Sequence, residues 1–396
     1  MEFLLVWLEA FVRWLHVIAG VAWIGTSFYF IHLDYSLKAR PGLPQGAHGE
    51  AWQVHGGGFY HMVKYVVAPA RIPDELTWFK WEAYATWFSG LALVVLVYYL
   101  GAELYLIDRH VLDVSPPAAI ALSVGSLVVA WLAYEFLCRS TLGRNEGLLA
   151  AVGFALLLTL AFGFTRVLSG RGAFMQMGAV IGTIMAANVL MVIIPGQRRV
   201  VADLLAGRTP DSEYGRRGKQ RSLHNNYLTL PVVFVMIANH YPLVFASRWS
   251  WLILGLAIVI GAAVRHFYNQ RHRGLPSPWW TWAVAALCAA AIVGMSALGP
   301  ADDRGESRSG AQAPRFAEVE EIVISRCAAC HAAEPVWAGI VAAPKGVMLD
   351  TPARIRLQRR AIALQAAWTN AMPPGNLTEI SSEERAALAL WAAATR

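Results

Sequence analysis

The sequence predicts an all-α protein, in which a polytopic membrane bundle of about eight helices precedes a small soluble helical domain. Of its 396 residues, 57% are hydrophobic and only 15% are charged, whereas a soluble chain carries about 25% charged residues. Eight segments are apolar and long enough for a helix to cross a ~30 Å hydrocarbon core. The last segment, residues 315–396, has instead the composition of a compact soluble domain.

The predicted spans lie at about 4–31, 80–106, 116–138, 147–167, 173–195, 226–246, 250–270 and 278–299. They make residues 1–299 an integral membrane domain. The polar residues 300–314 predict a flexible linker to the soluble domain. The long connection after the first span is glycine-rich at 55–61, and its apolar part, 59–68, is expected to lie in the membrane interface or to re-enter the membrane.

Lysine and arginine are concentrated in the connections that follow the odd-numbered spans. The connection 196–224 alone carries seven of them, and the opposite side has only a few. The positive-inside rule assigns the basic side to the cytoplasm, so eight spans leave both termini in the periplasm of a bacterial inner membrane. The net charge of +7 therefore reflects topology in a lipid membrane and does not indicate a nucleic-acid partner.

The most specific motif is C-x-x-C-H, at Cys327, Cys330 and His331. Two thiols at this spacing add to the edge of a haem, and the adjacent histidine coordinates the iron. A chance pair, a redox dithiol or half of a zinc site are the alternatives, but zinc needs a second pair of ligands that this region lacks. The sequence therefore predicts one covalent haem c, on the periplasmic side where such motifs normally receive haem.

The residues after this motif follow the order of a class I cytochrome c. Met372 lies in a proline-rich loop at 370–376, and residues 382–394 predict the C-terminal helix. A thioether sulfur suits a low-spin haem, so Met372 is the predicted sixth iron ligand. Met348 or an open position are the alternatives. An iron held between His331 and a methionine has no free position, so this domain should move electrons and leave substrate chemistry to the bundle.

Polar side chains inside the predicted spans suggest function, because they are costly in lipid. A cluster on the cytoplasmic side contains His32, Glu135, Asn188, His224, Asn225, Asn226, Arg265 and His266. Imidazoles, amides and a guanidinium suit a planar, anionic, hydrogen-bonding molecule. His16 and His240 lie elsewhere in the bundle and are candidate ligands of a membrane haem b, with hydrogen bonding between helices as the alternative.

Four stretches resemble a known family. They are 14–28 (WLHVIAGVAWIGTSF), 55–60 (HGGGFY), 78–84 (WFKWEAY) and 224–231 (HNNYLTLP). With the bundle-plus-cytochrome architecture, they make the chain similar over essentially its whole length to the membrane-bound, cytochrome-c-fused urate oxidases of bacterial purine breakdown, also called urate hydroxylases. The resemblance implies oxidation of urate with water to 5-hydroxyisourate, with two electrons passed to cytochrome c and no release of hydrogen peroxide.

The resemblance also implies urate as substrate and a respiratory-chain acceptor, such as a cytochrome c or a terminal oxidase, as redox partner. The cytoplasmic cluster is then expected to bind urate through Asn225 and Asn226, with His224 or His266 as the general base that activates water. The alternatives are a membrane cytochrome that oxidises quinol or another donor, and a urate transporter with a cytochrome domain. A cytoplasmic urate site and a periplasmic haem lie a bilayer apart, so either the pocket opens outward or a second redox centre is required.

Overall fold

The computed structural model describes residues 2–65, 69, 72–297 and 313–394. Its helices before residue 300 are α1 (Glu2–Ser36), α2 (Trp81–Leu93), α3 (Ala102–Tyr105), α4 (Pro116–Arg139), α5 (Glu146–Thr165), α6 (Gly170–Ala187), α7 (Ile194–Leu205), α8 (Ser212–Ala238), α9 (Pro242–Phe245), α10 (Ser250–His272) and α11 (Trp280–Ala297). A π-helical turn, Val94–Tyr99, extends α2, and a second, Asn188–Ile193, joins α6 to α7. Within these described ranges, seven helical segments are long and apolar enough to cross a membrane.

The seven apolar segments correspond to every predicted span except the sixth, 226–246. That span falls on α8, which begins earlier, at Ser212, and ends at Ala238. The first half of α8 is basic and polar, so this helix is less apolar than the other seven. Paired contacts nevertheless show that α8 runs antiparallel to both neighbours: Gly178 with Met236 and Asn188 with Asn225 on the α6 side, and Gly261 with Pro231 and Arg265 with Asn226 on the α10 side. The chain therefore returns through the bundle along α8.

Local signals in the sequence set several helix starts. The Asn145 side chain accepts a hydrogen bond from the Leu148 N–H at 3.0 Å, and the Ser169 hydroxyl accepts one from the Gly172 N–H at 2.9 Å. These caps pair amide groups that the first turn of a helix leaves free. They fix where α5 and α6 begin, and hence which side chains each helix turns toward the core.

The connection after α1 contains a β-hairpin. Strand β1 (Ala47–His55) pairs antiparallel with β2 (Gly58–Tyr65) across a turn in which Gly56 and Gly57 have φ of 59° and 80°. A two-residue hairpin turn needs positive φ at both positions, which glycine adopts without steric cost. Residues 59–65 of the segment expected in the interface thus form strand β2, residues 66–68 lie outside the described residues, and the placement at the interface stays a prediction. The hairpin adds a small two-stranded sheet to a helix-rich chain, for which the sequence predicted helices alone.

Two ends of the bundle can be distinguished. At the hairpin end, where α1 and α10 finish, Lys64 donates to Asp34 at 2.5 Å and Arg273 donates to the Tyr35 hydroxyl at 2.7 Å. The opposite end, here named the α3 end, contains α3 and the start of α6. There the Ser169 hydroxyl donates to the backbone carbonyl of Tyr105, the last residue of α3, at 2.7 Å.

Residues 313–394 form a small helical unit with an apolar core of its own, to which Val323, Ile355 and Leu388 contribute. Its helices are α12 (Phe316–Arg326), α13 (Pro352–Leu357), α14 (Arg359–Ile362) and α15 (Ser382–Ala394). The unit contacts the bundle at the α3 end, where Ala371 packs into the core of the bundle. Of the predicted linker 300–314, residues 300–312 lie outside the described residues.

Candidate functional site

Polar side chains are buried near the hairpin end of the bundle, on two sides of α8. Asn225 and Asn226 are 5% and 0% exposed. Since successive residues of an α-helix point about 100° apart, the two amides face different neighbours. Asn225 faces the helices on the α6 side, whereas Asn226 faces α10. The single cluster that the sequence predicted is therefore two separate clusters, named after these residues.

The Asn225 cluster is connected by hydrogen bonds between helices. It comprises Tyr134, Glu135, Glu146, Asn188, Arg221, His224 and Asn225. The Asn188 amide donates to the Asn225 carbonyl oxygen at 2.9 Å and to the Tyr134 hydroxyl at 3.1 Å. That hydroxyl lies 2.7 Å from Nδ1 of His224. Asn188 opens the π-helical turn after α6, and such turns are frequent at functional sites.

The cation of the Asn225 cluster has a carboxylate partner. Arg221, whose side chain is 1% exposed, donates to Oε2 of Glu135 at 2.7 Å, although its Nε and one Nη have no partner among the described residues. At the edge of the cluster, Nε2 of His224 lies 3.3 Å from the half-exposed carboxylate of Glu146. Because a buried cation beside a carboxylate is already compensated, this cluster does not select for an anionic ligand.

The Asn226 cluster lies between α8, α10 and the end of α1. It comprises Phe28, Asn226, Tyr227, Arg265, His266, Asn269, Gln270 and His272. Arg265 and Asn269 are four residues apart, and so lie on one face of α10. The Arg265 guanidinium donates to Oδ1 of Asn269 at 3.1 Å, and the Asn269 amide donates to Oδ1 of Asn226 at 3.0 Å. The guanidinium carbon lies 4.1 Å from the centroid of the Phe28 ring.

Arg265 is a buried cation whose contacts are amides and an aromatic ring. It is 6% exposed, and no carboxylate among the described residues pairs with it. Three other buried polar atoms of the cluster have no partner in the described part of the chain: Nδ2 of Asn226, Oε1 of Gln270 and Nδ1 of His272. The Asn225 cluster has such atoms too, among them Oδ1 of Asn188. What distinguishes the Asn226 cluster is its cation without a carboxylate, because a buried charge is costly unless paired, so this cluster suits an anion that accepts and donates hydrogen bonds.

The two histidines predicted as general bases belong to different clusters. His224 lies in the Asn225 cluster. Nδ1 of His266 lies 3.1 Å from the Tyr227 hydroxyl, and its Nε2 lies 3.4 Å from the Gln270 amide nitrogen. His266 is thus attached to the Asn226 cluster. The structure does not bring the two imidazoles to one site, although both are near the hairpin end.

His16 and His240 are held in different surroundings. Nδ1 of His16 lies 3.0 Å from the Thr86 carbonyl oxygen and 3.2 Å from the Ser89 hydroxyl, against α2. Its imidazole fills the space beside Gly90, where a Cβ would lie 2.9 Å from the ring. His240 is exposed just after α8. In the described ranges no contact joins the two imidazoles, and a haem b between them stays a prediction.

The residues of the C-x-x-C-H motif lie in one turn, in which the His331 backbone N–H donates to the Cys327 carbonyl oxygen at 3.0 Å. Nδ1 of His331 lies 2.8 Å from the Val347 carbonyl oxygen, so Nδ1 carries the proton and Nε2 is the nitrogen that could coordinate a metal. Burial raises the pKa of the Cys327 thiol to about 12 and also raises the pKa of the Cys330 thiol. Both thiols are therefore neutral at pH 7, and a haem c attached to them stays a prediction.

Met372 and Met348, the two candidates for the sixth iron position, lie in different parts of the C-terminal unit. Met372 packs, as Cys327 does, against the apolar core of this unit, and its carbonyl accepts a hydrogen bond from Arg385 at 2.9 Å. Met348 directly follows Val347, whose carbonyl oxygen lies 2.8 Å from Nδ1 of His331. Met372 as the sixth iron ligand stays a prediction.

The structure thus defines a helix-rich chain with long apolar helices, compatible with a membrane protein, and with two buried polar clusters. Residues 2–296 match the family described as urate oxidase N-terminal. This match covers most of the chain, and the protein belongs to that family. Comparisons with curated proteins and with solved structures gave no match. The family match ends before the C-x-x-C-H motif.

Sequence reasoning did not include Tyr134, Glu146 and Arg221 in the Asn225 cluster, or Phe28, Tyr227, Asn269, Gln270 and His272 in the Asn226 cluster. A signal for part of this set was present. Asn269 and His272 follow Arg265 at four and seven residues, the spacing of one helical face. Tyr134 and Glu146 had no comparable signal, because their proximity to His224 depends on how α4, α5 and α8 pack.

Proposed function

We propose that this protein oxidises urate to 5-hydroxyisourate and passes the electrons to a haem c on its own C-terminal unit. Membership of the urate oxidase N-terminal family supports urate as the substrate, and the C-x-x-C-H motif supports the acceptor. The reaction balances as urate and water giving 5-hydroxyisourate, two protons and two electrons. A haem c held by Cys327, Cys330, His331 and Met372 supplies a one-electron acceptor, so each turnover needs two transfers.

The Asn226 cluster is the proposed urate site, and the observation that carries this assignment is the unpaired charge of Arg265. A urate anion brings the negative charge that this buried guanidinium lacks. The carbonyl oxygens of urate would accept hydrogen bonds from Arg265 and from Nδ2 of Asn226. Its ring N–H groups would donate to Oε1 of Gln270, which has no partner among the described residues. The Phe28 ring offers an apolar surface beside the planar substrate.

His266 is the proposed general base, in preference to His224. It is linked to the Asn226 cluster through Gln270 and Tyr227, within reach of a water molecule that attacks bound urate. Asn226 and Asn269 orient the Arg265 guanidinium. Asn225 and His224 belong to the cluster whose cation is already compensated, and we assign them no contact with urate.

The proposed location is the bacterial inner membrane, with both termini and the haem unit in the periplasm. The antiparallel run of α8 supports an eighth crossing. The electrons then leave to a soluble cytochrome c or a terminal oxidase of the respiratory chain, and the surrounding partner is membrane lipid.

Anaerobic addition of urate to membranes, with the α-band of haem c recorded, tests the function. The wild type should show reduction of the band. Arg265→Gln should slow it by about a hundredfold or more, since truncating a buried charged partner costs several kcal/mol. Arg248→Gln is the matched control, because Arg248 is exposed just before α10, at the α3 end.

Dithionite should reduce the haem fully in all three proteins. A haem that quinol reduces and urate does not would mean a quinol-oxidising cytochrome instead. Uptake of labelled urate without any reduction of the haem would mean a transporter. If urate reduces the haem of Arg265→Gln at the normal rate, the Asn226 cluster is not the substrate site.

A further inference from the structure

A loop of the C-terminal unit, residues 371–376, rests on the α3 end of the bundle. Ala371 is 8% exposed and belongs to the apolar core of the bundle. The Asn376 amide donates to Nε2 of His110 at 3.1 Å. Gly375, with φ of 52°, lies so close to the bundle that a Cβ added there would be 2.7 Å from the Ile107 carbonyl oxygen. We call this set of contacts the docking contact.

The docking loop is also the loop that carries Met372. The half-buried guanidinium of Arg385 donates to the Met372 carbonyl at 2.9 Å and to Oδ1 of Asn376 at 3.2 Å. On the bundle side, the carboxylate of Asp108 interacts electrostatically with Arg385 and accepts a hydrogen bond from the His110 N–H at 3.0 Å. One network therefore connects the segment 107–110 of the bundle with the backbone of the predicted iron ligand.

We propose that the docking contact is the surface through which electrons pass from the bundle to the haem, on its Met372 side. This inference rests on the proposed function. The docking contact does not include the C-x-x-C-H turn or the Val347 segment, and we assign that side of the unit to the external acceptor. Each passage of an electron across the docking contact would reduce the haem iron from the ferric to the ferrous state. The two electrons of one urate therefore need two passages, with reoxidation by the external one-electron acceptor between them.

Two variants separate docking from haem chemistry. Gly375→Ala places a methyl group against the Ile107 carbonyl, and His110→Ala removes a hydrogen bond from the bundle side without touching the haem unit. Gly339→Ala is the matched control, because Gly339 also has positive φ, 82°, but a Cβ there meets nothing within 4 Å. Both glycine variants put an alanine at a position with positive φ, and so both carry backbone strain. Only Gly375→Ala also collides with the bundle.

Hydrogen–deuterium exchange of the full-length protein, with and without haem, measures docking independently of activity. Residues 103–110 and 371–377 should be protected in the wild type and in Gly339→Ala, and less protected in Gly375→Ala. Stopped-flow mixing with urate should show haem reduction slowed roughly tenfold or more in Gly375→Ala, and slowed in His110→Ala, because overpacking lowers the docked population. The haem spectrum and the rate of reduction by dithionite should stay unchanged.

Wild-type rates of urate-driven reduction in Gly375→Ala, despite lost protection, would overturn the proposal. So would an unprotected 103–110 segment in the wild type. If urate fails to reduce the wild-type haem, the proposed function is wrong, and the docking contact is then judged by exchange protection alone.

Discussion

Two buried arginines show how one neighbouring side chain changes what a site can bind. Arg221 and Arg265 both lie over an aromatic ring, at 4.9 Å from Tyr134 and 4.1 Å from Phe28. Arg221 has the carboxylate of Glu135 at 2.7 Å, whereas the polar neighbours of Arg265 are amides. A cation left in a low-dielectric interior attracts an anion strongly, and this difference separates the two clusters.

Asn226→Asp should give the Arg265 cation a carboxylate partner, as Arg221 already has in the Asn225 cluster. The substitution keeps the shape of the side chain and adds a carboxylate 3.4 Å or less from the Arg265 guanidinium. We expect the KM for urate to rise by about tenfold or more, because the new charge competes with the substrate anion. Thermal unfolding in detergent should occur at the wild-type temperature or above. The measurement is the urate dependence of haem reduction.

The neighbouring substitution Asn225→Asp serves as the control. The Asn225 amide donates to the Met185 carbonyl at 2.9 Å, and a carboxylate there would lose that bond and repel the carbonyl. We expect a loss of about 1–3 kcal/mol in stability, with the KM of the surviving enzyme unchanged. Equal KM effects in the two variants would contradict the division into two clusters.

Most of these residues could be identified as candidates from the sequence, but the sequence did not show which of them lie together. Asn225 and Asn226 are adjacent in the chain, and only the packing of α8 against α6 and α10 reveals that they serve different clusters. The residues of the C-x-x-C-H motif could be predicted better, because the chemistry of haem attachment is contained in five consecutive residues. Gln270 could not be predicted as a member of the site. It is a candidate because its side-chain oxygen is buried without a partner, and this depends on the folded surroundings.

At the scale of secondary structure, α8 and α10 form the frame of the proposed urate site. They approach closely where Gly261 lies against Pro231, since a Cβ added to Gly261 would be 2.6 Å from Cδ of the proline ring. Pro231 lies inside α8, and its rigid ring cannot move aside as a flexible side chain would. This contact is about one helical turn from the Arg265 and Asn226 pair.

Gly261→Ala should therefore push α10 away from α8 and disturb the site without altering any polar residue. We expect a cost of about 1–3 kcal/mol in stability from overpacking, together with slower urate-driven reduction of the haem. Gly294→Ala is the control, because a Cβ at Gly294 in α11 meets nothing within 4 Å. The control should unfold at or slightly above the wild-type temperature. Indistinguishable unfolding temperatures in the two variants would disprove the close approach.

The helices were more predictable than the hairpin, and the reason is physical. Apolar segments of about 20 residues are recognisable from composition alone. In β1 and β2, polar residues such as Gln53 and Lys64 alternate with apolar ones over short distances, and the strands are stabilised by pairing with each other and by contacts with α1. The two glycines of the turn, Gly56 and Gly57, were the strongest local signal.

At the scale of the whole molecule, the proposed orientation puts the hairpin end in the cytoplasm and the α3 end in the periplasm. Val54 on β1 and Leu112 after α3 are both exposed, at 72% and 42%. In intact spheroplasts, a membrane-impermeant maleimide should label Leu112→Cys and should label Val54→Cys only after lysis. The wild type, with its own four cysteines, gives the background. The reverse pattern would show that the orientation is the opposite of the one proposed. Labelling of both positions in intact cells would show that no membrane separates them.

The same two ends set the distance that electrons must cover. Arg265 lies near the hairpin end, while the Met372 loop lies on the α3 end, near the start of α10. At about 1.5 Å per residue, the fifteen residues from Ser250 to Arg265 rise ~22 Å. If urate binds in the Asn226 cluster, as proposed, its electrons must cover this distance, and the proposal then calls for an intermediate carrier before the C-terminal unit.

The haem b predicted at His16 would supply such a carrier. His16 lies between the two ends of α1, and its Nδ1 is already engaged by the Thr86 carbonyl, so Nε2 would be the nitrogen that coordinates iron. Pyridine haemochrome spectra of the purified protein should then show a b-type haem beside the c-type haem. His16→Ala should lose the b-type signal and keep the c-type signal. A wild-type protein with the c-type signal alone would show that no haem b bridges this distance. The urate site would then have to lie closer to the α3 end than the Asn226 cluster does.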